Sequence, residues 1–236
     1  MDRCRRSFLE SCSAGAAGLS LAASLPAWAA NAKPKAYAPA LLVNERGDTL
    51  RASDLKVQAN YVFHYPFQAT PVFLLDLGKP ALPHALSTKE REGYSWPGGV
   101  GGMRSVVAFS AICAHQLVYP TREVSFISFR KTRAQRGVQD ALIHCCAEHS
   151  QYDPARGAEV LSGPARQPLC AVLLTHDPRV DSLTAYATLG GELFDEFFLK
   201  YQAKLSLEVG SKARDAVSGQ SVVRELEKFC RNSIQC

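Results

Sequence analysis

The 236-residue sequence predicts a mainly β fold that ends in a partly helical tail. Between residues 41 and 190, short apolar runs rich in β-branched and aromatic residues alternate with turn signals, as in antiparallel strands. After Gly190-Gly191, apolar side chains recur near helical spacing, at Leu193, Phe194, Phe197, Phe198, Tyr201 and Leu205. We therefore expect a β domain over residues 41–190 and a helical C-terminal tail over 191–236.

Seven strands are expected from these runs. They are Ala40–Val43, Pro71–Leu77, Ser105–Ile112, Val124–Phe129, Ala141–Cys145, Leu169–Thr175 and Leu183–Ala187. Residues 78–102 hold many prolines and glycines and are expected to form a loop, as is the polar stretch 131–138. Ser221–Phe229 is a second helical candidate.

The first thirty residues are typical of an export signal. Arg5-Arg6 followed by Ser7-Phe8-Leu9 resembles the twin-arginine signal of bacteria, with Glu10 where a lysine is usual. Residues 14–25 are weakly apolar and too rich in glycine and serine to span a bilayer, and Ala27-Trp28-Ala29 is a small-x-small cleavage pattern. We expect a signal peptide over 1–30, a linker over 31–40 and a periplasmic mature chain. An uncleaved signal, which would leave the chain membrane-associated, stays open.

The formal net charge of +5 is mildly basic. The sequence has no block of like charges and no Lys/Arg stripe with interleaved aromatic residues, which argues against nucleic-acid binding.

Two short segments combine a cysteine with a histidine, and each follows an expected strand. They are Cys113-Ala114-His115 and Cys146-Ala147-Glu148-His149. A set of two cysteines and two histidines fits either a tetrahedral zinc site or a [2Fe–2S] cluster with two ligands of each type. Because each loop is mixed, each can supply both irons of a cluster, whereas zinc fingers usually pair like with like along the chain.

The residues around these segments resemble the two cluster-binding boxes of Rieske iron–sulfur proteins, over about residues 100–190. The matching features are the lead-in strand Ser105–Ile112, the run His149-Ser150-Gln151-Tyr152-Asp153, Gly157, the Gly163-Pro164-Ala165 loop and Pro168-Leu169. The resemblance implies a Rieske-type antiparallel β-sandwich with cluster-binding loops. It implies that Cys113 and Cys146 bind the buried iron, that His115 and His149 bind the outer iron, and that the proline loop covers the cluster.

The chain departs from the family pattern at three points. Val118 and Glu148 stand where high-potential members have a pair of bridging cysteines, so that disulfide is absent. Tyr152 comes three residues after His149 instead of four, so we expect Ser150 and Tyr152 not to reach the cluster sulfurs. The two boxes lie 33 residues apart from Cys113 to Cys146, which is longer than in compact members.

The other cysteines and His144 have less specific expectations. Cys145 is expected to be a buried, unligated strand residue, with a ligand role or a link to Cys170 left open. Cys230 and Cys236 are expected to form a disulfide, which an oxidising compartment permits. His144 is expected to be structural.

The resemblance implies a single-electron carrier or an electron-transfer subunit of an oxidoreductase, in preference to a stand-alone enzyme. Expected partners are a cytochrome, a quinol-oxidising complex or a larger oxidase subunit, as in arsenite oxidase. An acidic partner would be attracted by the basic net charge. A ring-hydroxylating oxygenase also needs a mononuclear iron site, and no histidine follows residue 190. A zinc-stabilised binding module without redox activity remains the alternative.

Overall fold

The computed structural model describes residues 32–131 and 141–236, which contain sixteen strands and three α-helices. The strands are β1 (Lys35–Val43), β2 (Tyr61–His64), β3 (Pro71–Asp76), β4 (His84–Ser87), β5 (Gly93–Trp96), β6 (Val106–Ser110), β7 (Val124–Ser125), β8 (Ile127–Arg130), β9 (Leu142–Cys145), β10 (Ser150–Asp153), β11 (Glu159–Ser162), β12 (Ala171–Asp177), β13 (Ser182–Leu189), β14 (Gly219–Val222), β15 (Arg224–Glu225) and β16 (Asn232–Ser233). The helices are α1 (Phe194–Lys200), α2 (Gln202–Glu208) and α3 (Leu226–Phe229).

Most strands belong to two sheets. The larger has eight strands in the order β14-β1-β13-β12-β6-β3-β2-β15, and the smaller has four in the order β11-β10-β9-β8. Neighbours in both sheets pair antiparallel, except that β1 and β14 are parallel. The mainly β expectation with antiparallel sheets is therefore confirmed.

The large sheet is buried on both of its faces. Along β3, Phe73 and Leu75 join one apolar cluster, while Val72 and Leu74 join another. Because successive strand residues point to opposite faces, burial of both explains why this strand is a continuous apolar run. The first cluster also contains Ile143 of β9 and so joins the large sheet to the small one.

The helical tail packs against the β structure at one place. Phe194, Phe197 and Phe198 of α1 form a cluster with Ile112 and Tyr119, and the rings of Phe197 and Tyr119 are 4.9 Å apart between centroids. The apolar residues whose spacing predicts the helix therefore form the face that the helix buries.

Three segments differ from expectation. The expected linker over 31–40 contributes most of β1, because Ala40 and Leu42 are buried while the strand pairs with β13. The expected loop over 78–102 contains the β4–β5 hairpin, whose buried Tyr94 and Trp96 supply the apolar contacts.

The second helical candidate, Ser221–Phe229, is mostly extended. It starts within β14, continues through β15 and is helical only in the single turn of α3. Long-range pairing of β14 with β1 and of β15 with β2 replaces local helix formation here.

Two expectations fall outside the described residues, namely the signal over 1–30 and the polar loop over 131–138 beyond its first residue. Within 32–131 and 141–236, each helix is too short to cross a lipid bilayer.

Candidate metal centre

Two loops meet at one end of the four-stranded sheet. We call residues 111–118 loop 1, which follows β6, and residues 146–149 loop 2, which joins β9 to β10. Cys145 and Ser150 are paired in the β9–β10 ladder, so loop 2 is a four-residue hairpin turn. The two loops position the residues that the sequence singles out.

The thiol of Cys113 lies against the thiol of Cys145, and the two side chains are hydrogen-bonded. Both are fully buried. The sulfur of Cys113 also accepts hydrogen bonds from the backbone amides of His115 and Gln116, and that of Cys145 from those of Ala147 and Glu148. The amides two and three residues after each cysteine therefore surround its sulfur in the same way, and Cys145 is the loop 2 counterpart of Cys113.

These donors favour negative charge on the pair. The pKa of Cys113 is lowered to about 6, mainly because the Cys145 thiol donates to it, with further help from Tyr152 and the two amides. The pKa of Cys145 is raised, first by the same hydrogen bond and then by burial. A lowered pKa of Cys113 favours its thiolate form, which is the form in which a cysteine binds a metal.

Tyr152 reaches this pair. Its hydroxyl lies 3.3 Å from Cys113 Sγ and accepts a hydrogen bond of 3.2 Å from the Ala114 amide. The expectation that Tyr152 would not reach the sulfurs is therefore wrong. That expectation uses the spacing of Tyr152 from His149 in the Cys146–His149 segment. The side chain that meets Cys113 instead belongs to Cys145, one residue before Cys146.

The proline loop packs against the same hairpin. The amide of Ala165 donates to Ser150 Oγ at 3.2 Å. Gly163 has a φ of +90°, and a Cβ there would lie 2.5 Å from Ser150 Cα. Glycine is required at this position because both the backbone conformation and the close approach exclude a side chain.

A second pair of polar side chains meets where the loops are more exposed. His115 Nδ1 lies 3.9 Å from Glu148 Oε2, and this nitrogen is buried without a hydrogen-bond partner. An imidazole nitrogen that is buried without a hydrogen-bond partner is energetically costly, and a neutral imidazole nitrogen is a common metal ligand.

The other two predicted ligands lie elsewhere. Cys146 forms a disulfide with Cys236, and Arg130 Nη2 donates to Cys146 Sγ at 2.8 Å. The rings of His149 and His144 are 6.1 Å apart, and His144 Nε2 lies 3.7 Å from Cys236 Sγ. The expected disulfide between Cys230 and Cys236 is wrong, because Cys230 is a buried free thiol near Phe229 and Cys236 reaches across to loop 2.

The structure therefore brings together two of the four predicted ligands, Cys113 and His115, and adds Cys145 and Glu148. The ligand roles of Cys146 and His149 stay predictions that their positions do not support. Sequence matching did not single out Cys145 or Glu148 as partners of Cys113 and His115, although the spacing to Tyr152 is a signal that could have pointed to Cys145.

The positions of these side chains also show whether they fit a single metal ion or a two-iron cluster. Among the described residues, the only group of three or more metal-binding side chains whose ligand atoms all lie within 4.8 Å is His144, His149 and Cys236. Cys113, Cys145, His115 and Glu148 thus form two pairs and do not converge on one ion. Two pairs of ligands match a cluster whose two irons are each held from one side.

The residues present fit a [2Fe–2S] cluster, with one departure. Each of the two thiols has its own pair of amide donors, and the buried nitrogen of His115 lacks a hydrogen-bond partner, so thiolate and imidazole ligands are both on hand for this cofactor. The side chain nearest His115 Nδ1 in loop 2 is the carboxylate of Glu148 and not a second imidazole.

No protein-family model matches the chain. It is similar in structure to the soluble domain of the Rieske protein II (soxF) from Sulfolobus acidocaldarius, with 24% sequence identity. The match covers 66% of this chain and 82% of the other, at a TM-score of 0.46. A structural match of this extent does not assign a function to the chain. Any functional argument therefore depends on the side chains of the site.

Proposed function

We propose that the chain is a single-electron carrier, or an electron-transfer subunit of an oxidoreductase, that works through one Rieske-type [2Fe–2S] cluster. The observation that carries the proposal is the buried Cys113–Cys145 pair, with its matched amide donors and the Tyr152 hydroxyl, beside the unpartnered His115 Nδ1. When bound, such a cluster takes up and releases one electron at a time.

The protein's residues have three tasks in this function. Cys113 and Cys145 would hold one iron in the buried core, and His115 would hold the other nearer the surface. The amides and Tyr152 donate to the sulfurs and so stabilise the negative charge that arrives with the electron. The proline loop at Gly163-Pro164-Ala165 packs on Ser150 and keeps the hairpin closed.

We further propose a periplasmic location, with a cytochrome, a quinol-oxidising complex or a larger oxidase subunit as redox partner. The support is the export-type sequence over residues 1–30 and the net charge of +5. The His115 side of the site is the side that faces solvent, so a partner would dock over the tips of the two loops.

The test is reconstitution of the full chain with iron and sulfide under anaerobic conditions. We expect about two irons and two sulfides per chain, a visible spectrum that bleaches on reduction, and an electron paramagnetic resonance signal from the reduced form. A colourless protein that binds one zinc ion would contradict the proposal.

A matched pair of variants locates the second thiolate. Cys145→Ser should abolish cluster binding, whereas Cys146→Ser should keep the cluster because that sulfur is in the disulfide. The reverse result would restore Cys146 as the ligand. Circular dichroism of both variants checks that each one folds.

A zinc site other than the predicted set of two cysteines and two histidines has an observation of its own. The ligand atoms of His144, His149 and Cys236 lie close enough to share one ion. Because Cys236 is in a disulfide with Cys146, a thiolate becomes available there only after reduction. Zinc analysis of the reduced protein tests this site, and His144→Ala should lower zinc content without changing bound iron.

A further inference from the structure

Glu148 lies three residues after Cys145, which is the spacing that the predicted ligand His149 has from Cys146. We propose that the Glu148 carboxylate is the fourth ligand of the cluster, so that the outer iron is held by one imidazole and one carboxylate. This inference rests on the proposed function and concerns the same site.

The placement follows from the equivalence of the two loops. Each cysteine accepts hydrogen bonds from the amides two and three residues further along. In loop 1, His115 is two residues after Cys113, and in loop 2, Glu148 is three residues after Cys145. These two spacings are those of the C-x-H and C-x-x-H motifs that suggest a cluster, except that Glu148 takes the position of the histidine in the second motif. Their side chains meet, with Nδ1 and Oε2 3.9 Å apart.

His149 is turned away from this position. Its φ of +57° is the left-handed conformation at the end of the hairpin. Its ring lies beside that of His144, and a ring nitrogen of His149 lies within 4.8 Å of the Cys236 sulfur. Because Ser150 already pairs with Cys145 in the ladder, moving His149 toward His115 would require the turn to shift by one residue.

The chemistry of the two candidates differs in charge. A carboxylate oxygen is an accepted iron ligand and brings one negative charge, whereas a neutral imidazole brings none. Extra negative charge makes addition of an electron less favourable. The wild-type midpoint potential should therefore be lower than that of a variant with two imidazoles.

The experiment compares Glu148→Ala, Glu148→His and His149→Ala with the wild-type full chain after anaerobic reconstitution. The readouts are iron and sulfide per chain, the paramagnetic resonance signal of the reduced form, and the midpoint potential. We expect Glu148→Ala to lose most of its iron and Glu148→His to bind the cluster with a raised potential. His149→Ala should keep the wild-type iron content, signal and potential. Melting temperatures of the empty proteins show whether each variant folds.

The outcomes separate the two levels of the proposal. If the wild-type chain binds no iron–sulfur cluster, the proposed function fails and this inference fails with it. If the wild type binds a cluster, but His149→Ala loses it and Glu148→Ala does not, only the assignment of Glu148 is overturned. A potential that falls in Glu148→His would also count against a carboxylate ligand.

Discussion

The Tyr152 hydroxyl is the clearest single group with which to tune the proposed centre. It lies 3.3 Å from Cys113 Sγ inside the core. Tyr152→Phe removes the hydroxyl and keeps the ring, so the sulfur loses a donor that favours the more negative, reduced form. A differential loss of about 1 kcal/mol corresponds to a midpoint potential lower by about 40 mV, on the scale of 59 mV per tenfold change for one electron.

A redox titration monitored by visible absorption checks this result. Tyr65→Phe is the matched control, because Tyr65 is equally buried, belongs to the other apolar cluster and has a hydroxyl without a hydrogen-bond partner. An unchanged potential in Tyr152→Phe would show that the hydroxyl does not act on the sulfur.

At the scale of single residues, sequence reasoning located the two loops, but the structure favours other side chains in loop 2 than the predicted Cys146 and His149. Cys113 and His115 lie where the pattern predicts. In loop 2, two adjacent cysteines and a Glu148-His149 pair offer two overlapping spacings, and only the strand register decides between them. The pairing of Cys145 with Ser150 sets that register, and a one-residue shift exchanges the side chains that face the core.

At the scale of elements, the proline loop depends on Gly163. Gly163→Ala would place a methyl group 2.5 Å from Ser150 Cα and 2.7 Å from the His149 carbonyl oxygen, with φ in the left-handed region. We expect the free energy of unfolding to fall by about 1–3 kcal/mol, from backbone strain and overpacking. Urea unfolding measures the loss.

Gly102→Ala is the control for this variant, because nothing lies within 4 Å of a Cβ at Gly102. Its stability should stay within about 0.5 kcal/mol of wild type, or rise slightly. Equal losses in both variants would show that the proline loop does not depend on the close approach at Gly163.

Elements differ in how well local sequence predicts them. β6 and β9 are short runs of apolar and β-branched residues, so the local sequence is enough to predict a strand. Both strands lie where they are expected. β14 and β15 were missed because their pairing partners, β1 and β2, lie more than a hundred residues earlier in the chain. The surrounding prolines and glycines predict a loop where the β4–β5 hairpin lies. The apolar residues of the hairpin favour strands only through their packing against the rest of the protein.

At the scale of the whole molecule, His64 makes stability depend on pH. The pKa of His64 is lowered to about 4, mainly by burial and further by Arg122 and Arg224. Between about pH 6.5 and pH 4 the unfolded chain therefore binds a proton that the folded chain does not, and stability falls as the pH falls through this range. The full shift corresponds to about 3 kcal/mol.

Urea unfolding of wild type and His64→Gln at pH 7 and pH 4 isolates this contribution from that of the carboxylates. We expect the wild type to lose about 2–3 kcal/mol more than the variant between the two pH values. Equal losses in the two proteins would show that folding does not lower the pKa of His64.

The Cys146–Cys236 disulfide joins residues 90 positions apart, and the other cysteines of the described chain, Cys113, Cys145, Cys170 and Cys230, are all buried free thiols. Before the C-terminal tail packs against the rest of the chain, these thiols would be accessible to an oxidant. They could then form disulfides other than Cys146–Cys236. Folding that buries Cys113 and Cys145, the proposed iron ligands, therefore protects their thiols from forming incorrect disulfides. A cell making this protein would have to keep it reduced until it had collapsed, and only then expose it to oxidising surroundings.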